Sequence, residues 1–135
     1  FDATVSFLVA RTAGVSTIVL GAFQVGQNGD LANWSIPSGG GGIGGAMDLA
    51  ARGARVIALC YQLERNGRSK LVETLTYPVT ALGCVESVVT DLAYFDVDTD
   101  GFLLREVAPG VTVDEVKAAT GAPLRVASDC REMEF

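Results

Sequence analysis

A chain of 135 residues supports one domain, and with 49% hydrophobic residues it can bury a core of its own. The formal charge of −6 argues against nucleic acid and anionic membrane surfaces as partners, because both require a basic patch. The sequence has no histidine, which excludes Ser-His-Asp and Cys-His catalysis, histidine general bases and most transition-metal sites.

In chain order, residues 5–11 (VSFLVAR) are apolar and read as a short helix ending near Thr12-Ala13-Gly14. Residues 16–21 (STIVLG) are β-branched and apolar, a buried strand that stops at a glycine. Residues 24–37 read as loop, with Asn28-Gly29-Asp30 as turn chemistry. Glycines then fill positions 39–42, 44 and 45. Glycine belongs where the backbone must reach φ > 0 or where a ligand lies against bare main chain. Consecutive N–H groups opening a helix also favour anions. The flanks LANW and AMDLA are not those of a flexible linker, so the stretch reads as a phosphate-, oxyanion- or thioester-facing loop. Residues 46–52 read as a short helix closed by Gly53.

Residues 55–62 (RVIALCYQ) read as a strand, and Arg65-Asn66-Gly67-Arg68 as a hairpin turn leading into residues 70–74. Residues 85–90 alternate enough to be another strand. Residues 93–97 and 102–107 make a second hairpin around Asp98-Thr99-Asp100-Gly101, ended by Pro109-Gly110. Residues 112–120 read as a helix with Thr112 as N-cap, Glu115 completing a capping box, and Gly121 at its end. Mixed strands and short helices point to an α/β fold, with no internal repeat and no linker dividing the chain.

Cys60, Cys84 and Cys130 are widely spaced and form no CxxC, so they read as unpaired thiols in a reducing cytoplasm and not as a zinc site. The longest apolar run, residues 15–25, is too short to span a bilayer, and no signal peptide is visible. The chain begins at Phe1, which reads as a fragment, a processed chain or the ordered part of something longer. Its high apolar content suggests surface meant for another subunit.

A series of blocks carries a family resemblance: LGAFQV (residues 20–25), GDLANW (29–34), GGAMDLA (44–50), YPVT (77–80), TDLAYFDV (90–97), EVAPGVTVDEV (106–116), TGAP (120–123) and EMEF (132–135). In these residues and in their order, the chain resembles the B (β) subunit of the 3-oxoacid CoA-transferases, the succinyl-CoA:3-oxoacid and 3-oxoadipate CoA-transferase family. The resemblance runs over residues 1–135 as one B-type domain lacking the family's N-terminal segment. It implies a mixed/parallel sheet with flanking helices, the CoA-transferase fold, in a cytoplasmic hetero-oligomer with an A (α) subunit.

The same resemblance implies a reaction. A glutamate carboxylate attacks an acyl-CoA carbonyl, and a glutamyl-CoA thioester carries CoA from one acid to another, a 3-oxo acid in the parent family. The CoA thioester is substrate; no cofactor or metal is permanently bound. The glutamate lies in a Ser-Glu-Asn-Gly type motif that this sequence lacks, so it is supplied from outside this chain, by the missing N-terminal B segment. The family's CoA-contacting lysine falls in the same upstream region. Glu64-Arg65-Asn66-Gly67 is turn chemistry and not that motif.

Gly44, Gly45 and Ala46 match the family's loop, where main chain borders the glutamate and the thioester. A small residue followed by a helix start places donors near a developing oxyanion, although tight helix–sheet packing uses the same residues. Gly21, Ala22 and Gln24 end a strand where a ligand crevice opens in α/β sheets, or else simply pack. Asn33 can orient a carboxylate through its amide or serve its own loop. Trp34 suits core or subunit interface, and Asp48 local capping.

The chain departs from the family pattern in three places. Residues 38–42 are SGGGG where the family carries lysines, Tyr61-Gln62 stand where it has an acidic residue or threonine and then histidine, and Gly14 replaces another histidine. Lost cations weaken the hold on a phosphate or carboxylate. Two alternatives therefore stand beside transfer: changed chemistry, as in an acyl-CoA hydrolase or ring-opening enzyme, and a non-catalytic binding or assembly role.

Overall fold

The computed structural model describes residues 7–12, 15–32, 53–77 and 82–133. Its strands are β1 (Phe7–Thr12), β2 (Val15–Gly21), β3 (Gln24–Gly26), β4 (Leu31–Ala32), β5 (Arg55–Leu59), β6 (Leu71–Val72), β7 (Ser87–Val89), β8 (Ala93–Asp98), β9 (Gly101–Val107) and β10 (Leu124–Glu132). Helix α1 (Val113–Ala118) lies between β9 and β10.

A seven-stranded mixed sheet has the order β1-β2-β5-β7-β8-β9-β10, and a three-stranded sheet the order β4-β3-β6. β2, β5 and β7 are mutually parallel, so long connections return the chain from the carboxyl end of each to the start of the next. β1 is antiparallel to β2, and β8 is antiparallel to both β7 and β9. β10 lies parallel to β9, with α1 as the crossover. The α/β class and the mixed sheet expected from the sequence are what the chain forms.

Side chains alternate across the strands, and one face of the large sheet is the core. Ile18, Leu20, Val56, Ala58, Val88, Phe95, Phe102 and Leu104 are at most 1% exposed. They form one cluster with Val25, Leu31 and Leu71 of the small sheet and Val116 of α1, so the small sheet and the helix cover that face. At about 1.5–3 kcal/mol per fully buried apolar side chain, this cluster is the main driving force for folding. The opposite face of β5, β7, β8 and β9 carries a polar ladder. Arg55 Nη2 donates to Ser87 Oγ (3.1 Å), Ser87 Oγ donates to Asp96 Oδ1 (3.1 Å), and Arg105 lies 3.6 Å from Asp96 and 3.7 Å from Asp129.

Several elements differ from the sequence expectation. The predicted N-terminal helix is strand β1: its residues pair one-to-one with β2 from Phe7↔Leu20 to Thr12↔Val15, and the ladder satisfies backbone groups that a two-turn helix would leave half unpaired. The predicted loop from residue 24 contains β3 and β4, which pair around the expected Asn28-Gly29-Asp30 turn. Gly29 closes that turn at φ 86°. The strand predicted to Gln62 ends at Leu59, and β6 pairs in parallel with β3, leaving the Asn66-Gly67 hairpin with a single bridge, Leu63↔Ser69. α1 is shorter than predicted and caps at Ala119, with Gly121 bridging to Val72 instead of closing the helix. The capping box is present as expected, Glu115 N–H donating to Thr112 Oγ1 at 3.1 Å and Thr112 N–H to Glu115 Oε1 at 3.2 Å. β10 has no counterpart among the predicted strands. The predicted helix at 46–52 lies outside the described residues.

Candidate active site at the carboxyl edge of the sheet

Parallel β2, β5 and β7 bring their carboxyl ends to one edge. Gly21, Leu59 and Val89 are register partners there and form a single row. The row runs one residue past the strands, Ala22 N–H donating to Leu59 O and Cys60 N–H to Val89 O, both at 3.1 Å. Ligands of open α/β sheets bind outside such an edge, because crossing loops diverge there and leave a crevice.

Of the expected pocket-lining residues, Gly21 lies at this row, and a Cβ added to it would meet no atom of the described residues within 4 Å. Ala22 is half-buried and packs against the core cluster. Gln24 is 4% exposed, and its amide is engaged. Its Nε2 donates to Thr76 Oγ1 (2.8 Å), and its Oε1 accepts from Thr76 N–H (2.9 Å) and Tyr77 N–H (3.2 Å). Gln24 therefore fixes the strand-free segment at Thr76-Tyr77 against β3. Asn33, Trp34, Gly44, Gly45, Ala46 and Asp48 lie outside the described residues, as do Gly14 and the SGGGG stretch.

The structure adds groups that sequence reasoning missed. From Leu59 the chain alternates: Leu59, Tyr61 and Leu63 are 50%, 70% and 40% exposed, while Gln62 is 1% exposed. Gln62, one of the family departures, is a structural junction. Its Nε2 donates to Ala119 O and Thr120 Oγ1 (both 3.1 Å), and its Oε1 accepts from Thr90 Oγ1 (2.8 Å). Its N–H donates to Asp91 Oδ1 at 2.8 Å, and its carbonyl accepts from Lys70 N–H at 3.0 Å. A residue so enclosed acts on the edge through its neighbours. No local signal marks it, since its side-chain partners lie 28, 57 and 58 positions away in the sequence.

Burial pushes the Cys60 thiol up to about 12, a rise that the nearby Lys70 charge moderates and Asp91 adds to. The thiol is inert at neutral pH and is not a nucleophile. Phe23 stands beside this row, its ring 6.2 Å from the Tyr77 ring, with Lys70 Nζ 6.0 Å above it. The Tyr77 hydroxyl donates to Glu64, which raises its pKa, and ties the 76–77 segment to the Asn66-Gly67 turn. Among the described residues no group of three or more His, Cys, Asp or Glu side chains could hold a metal ion. No helix among them is long and apolar enough to cross a membrane.

Residues 2–119 match the family model for coenzyme A transferase. The chain belongs to the coenzyme A transferase family. It is 42% identical over 127 residues to the β chain of a probable coenzyme A transferase of Bacillus subtilis, covering 93% of this chain and 58% of that protein. It is 41% identical over 125 residues to the B chain of the 3-oxoadipate CoA-transferase of Pseudomonas putida, covering 88% of this chain and 57% of that one. The chain thus spans somewhat under two-thirds of the curated relatives it matches. A solved acyl-CoA transferase of Escherichia coli O157:H7 has the same fold, with a TM-score of 0.68 at 19% identity over 86% of this chain and 27% of its own. In this coenzyme A transferase chain, Gly21 ends β2 at the carboxyl edge of the sheet, and Gln24 pins the 76–77 segment beside β3.

Proposed function

We propose that this chain is the C-terminal part of a B-type CoA-transferase subunit, which moves CoA between an acyl-CoA and a carboxylic acid of the 3-oxo class. The observation that supports it most is the similarity to B-type chains along nearly the whole sequence. In this reading the acyl-CoA is substrate, the attacking glutamate comes from a B segment outside these residues, and an A-type partner completes a cytoplasmic hetero-oligomer. Gly44, Gly45 and Ala46 present main-chain donors to the oxyanion formed as the glutamate adds to the thioester carbonyl. Gly21, Ala22, Gln24 and Asn33 shape the surroundings of the thioester.

The glutamate oxygen bonds to the acyl carbon as the thiolate leaves. The thiolate then attacks the glutamyl carbonyl, releasing the first acid, and the steps run backward with the second acid. No net hydrolysis occurs, so the site must exclude water while a carboxylate exchanges.

The test is to assemble the full-length subunit with its A-type partner and follow both thioester loss and new thioester formation. Loss that requires an acceptor acid, matched by an equal amount of its CoA thioester, is the expected result. Thioester loss without acceptor makes the protein a hydrolase, and no turnover makes it a binding or assembly component. Gly45→Val should lower turnover by about 100-fold or more if its main chain faces the oxyanion.

A further inference from the structure

Tyr61 is 70% exposed, yet the backbone is fixed on both sides of it. Cys60 N–H, just before it, donates to Val89 O (3.1 Å), and Gln62 N–H, just after it, donates to Asp91 Oδ1 (2.8 Å). The Gln62 side chain is itself held by Ala119, Thr120 and Thr90. Tyr61 therefore stands two residues beyond Leu59, at the carboxyl end of β5, the middle strand of the parallel run. The other two tyrosines are engaged: Tyr77 donates to Glu64, and the Tyr94 hydroxyl lies 3.5 Å from Ser87 Oγ. The Tyr61 hydroxyl has no hydrogen-bond partner among the described residues. Leu59 and Leu63, 50% and 40% exposed, flank it, and Val89, the register partner of Leu59, is half-buried on the same face.

A tyrosine held between two exposed leucines is apolar surface that water solvates poorly, and an aromatic ring on an ordered backbone binds with little further ordering cost. Leu59, Tyr61, Leu63 and Val89 carry no charge, so a carboxylate gains nothing on them, whereas an alkyl or aryl group leaves water there. Asp91, held beside Gln62, adds a charge that repels anions from this spot. In the CoA-transfer reading the thioester lies at this edge, and the acyl group is the part of the substrate that extends from its carbonyl. We propose that Tyr61 is a specificity-determining residue that packs against the acyl group, favouring 3-oxo acyl groups with a bulky apolar substituent, aryl above all, over short ones. This assignment rests on the CoA-transfer reading, which brings a thioester to the edge, and is tested separately from it.

The probes are two thioethers, S-(3-oxobutyl)-CoA and S-(3-oxo-3-phenylpropyl)-CoA, which differ only in a methyl or phenyl group on the ketone and have no thioester to break. Their binding is measured by calorimetry on the full-length subunit assembled with its A-type partner, in wild type, Tyr61→Ala and Tyr61→Phe. Wild type should bind the phenyl compound about 5- to 20-fold more tightly than the methyl one. Tyr61→Ala should cut that ratio to below about twofold with the methyl compound little changed, and Tyr61→Phe should keep it. A ratio near one in wild type, or a ratio that Tyr61→Ala leaves intact, overturns the assignment while the CoA-transfer reading stands. If Tyr61→Ala releases the A-type partner and both thioethers together, the row is a subunit contact, which also overturns it. If neither thioether binds wild type, both readings fall. If the ratio follows Tyr61 but no CoA moves between acids, the transfer reading fails while the contact holds.

Discussion

Replacing Gln62 with leucine should remove a buried junction while keeping its volume nearly constant. Three side-chain hydrogen bonds disappear, to Ala119 O, to Thr120 Oγ1 and from Thr90 Oγ1. Each is worth about 0.5–1.5 kcal/mol net, and a buried carbonyl left without its donor costs a further 1–3 kcal/mol or so. The Thr90 hydroxyl still accepts from Leu92 and Ala93 N–H but as a donor keeps a 3.4 Å contact with Ala93 O, and Thr120 keeps its bond to Val116 O. Added apolar burial of the leucine returns about 1–2 kcal/mol. The expected net loss is about 2–4 kcal/mol, read from urea unfolding at fixed protein concentration with m unchanged. A cycle with Thr90→Val should show coupling of about 1 kcal/mol. Gln62→Glu should be worse at neutral pH, since a carboxylate cannot donate to Ala119 O. Its folded-state pKa is raised, so the deficit is small below about pH 4 and grows as pH rises toward that value. A Gln62→Leu loss below about 0.5 kcal/mol, or no coupling to Thr90, would refute the junction.

The Cys60 thiol, pushed up to about 12, should be alkylated at pH 8 roughly 10³-fold more slowly than an ordinary thiol, and peptide mass spectrometry of an iodoacetamide time course would show it. The same shift means that native-state stability falls as pH rises from about 9 toward 12, because the unfolded thiol ionises first. Gly29→Ala should destabilise by about 2 kcal/mol in thermal or urea unfolding, since φ is 86° and the new Cβ would meet Val85 O at 3.0 Å. The Arg125 guanidinium holds Asp98 below the usual carboxylate range, so the stability advantage of wild type over Asp98→Asn should be full above about pH 4 and close as pH falls through the lowered value.

Local chemistry was legible where it is dictated by few residues. The β8–β9 hairpin follows from Asp98-Thr99-Asp100-Gly101, with Gly101 at φ 102°, and the capping box follows from Thr112 and Glu115. β1 reads as a helix because residues 7–10 (FLVA) are uniformly apolar and carry neither period; only pairing with β2 decides it. β10 escapes a sequence reading because LRVASDCRE is an edge strand with little burial, held by ion pairs such as Arg125–Asp98 and Arg131–Glu106 that depend on spatial neighbours. At the site, Gly21 could be placed at a strand end from sequence, but the junction at Gln62 and the clamp at Gln24 join residues more than 25 positions apart, beyond any local pattern. The family was legible because its blocks are many and ordered.

The proposed division of labour gives this domain the main chain that supports the thioester, and a preceding segment of the same polypeptide the carboxylate that attacks it. Intact-protein and peptide mass spectrometry after incubation of the assembled enzyme with acyl-CoA, without acceptor, tests it most directly. The expected product is one CoA, less water, on a glutamate outside residues 1–135 and none within them. A CoA adduct on a residue of this chain, or acyl-CoA turnover with no covalent adduct at any stage, would contradict it.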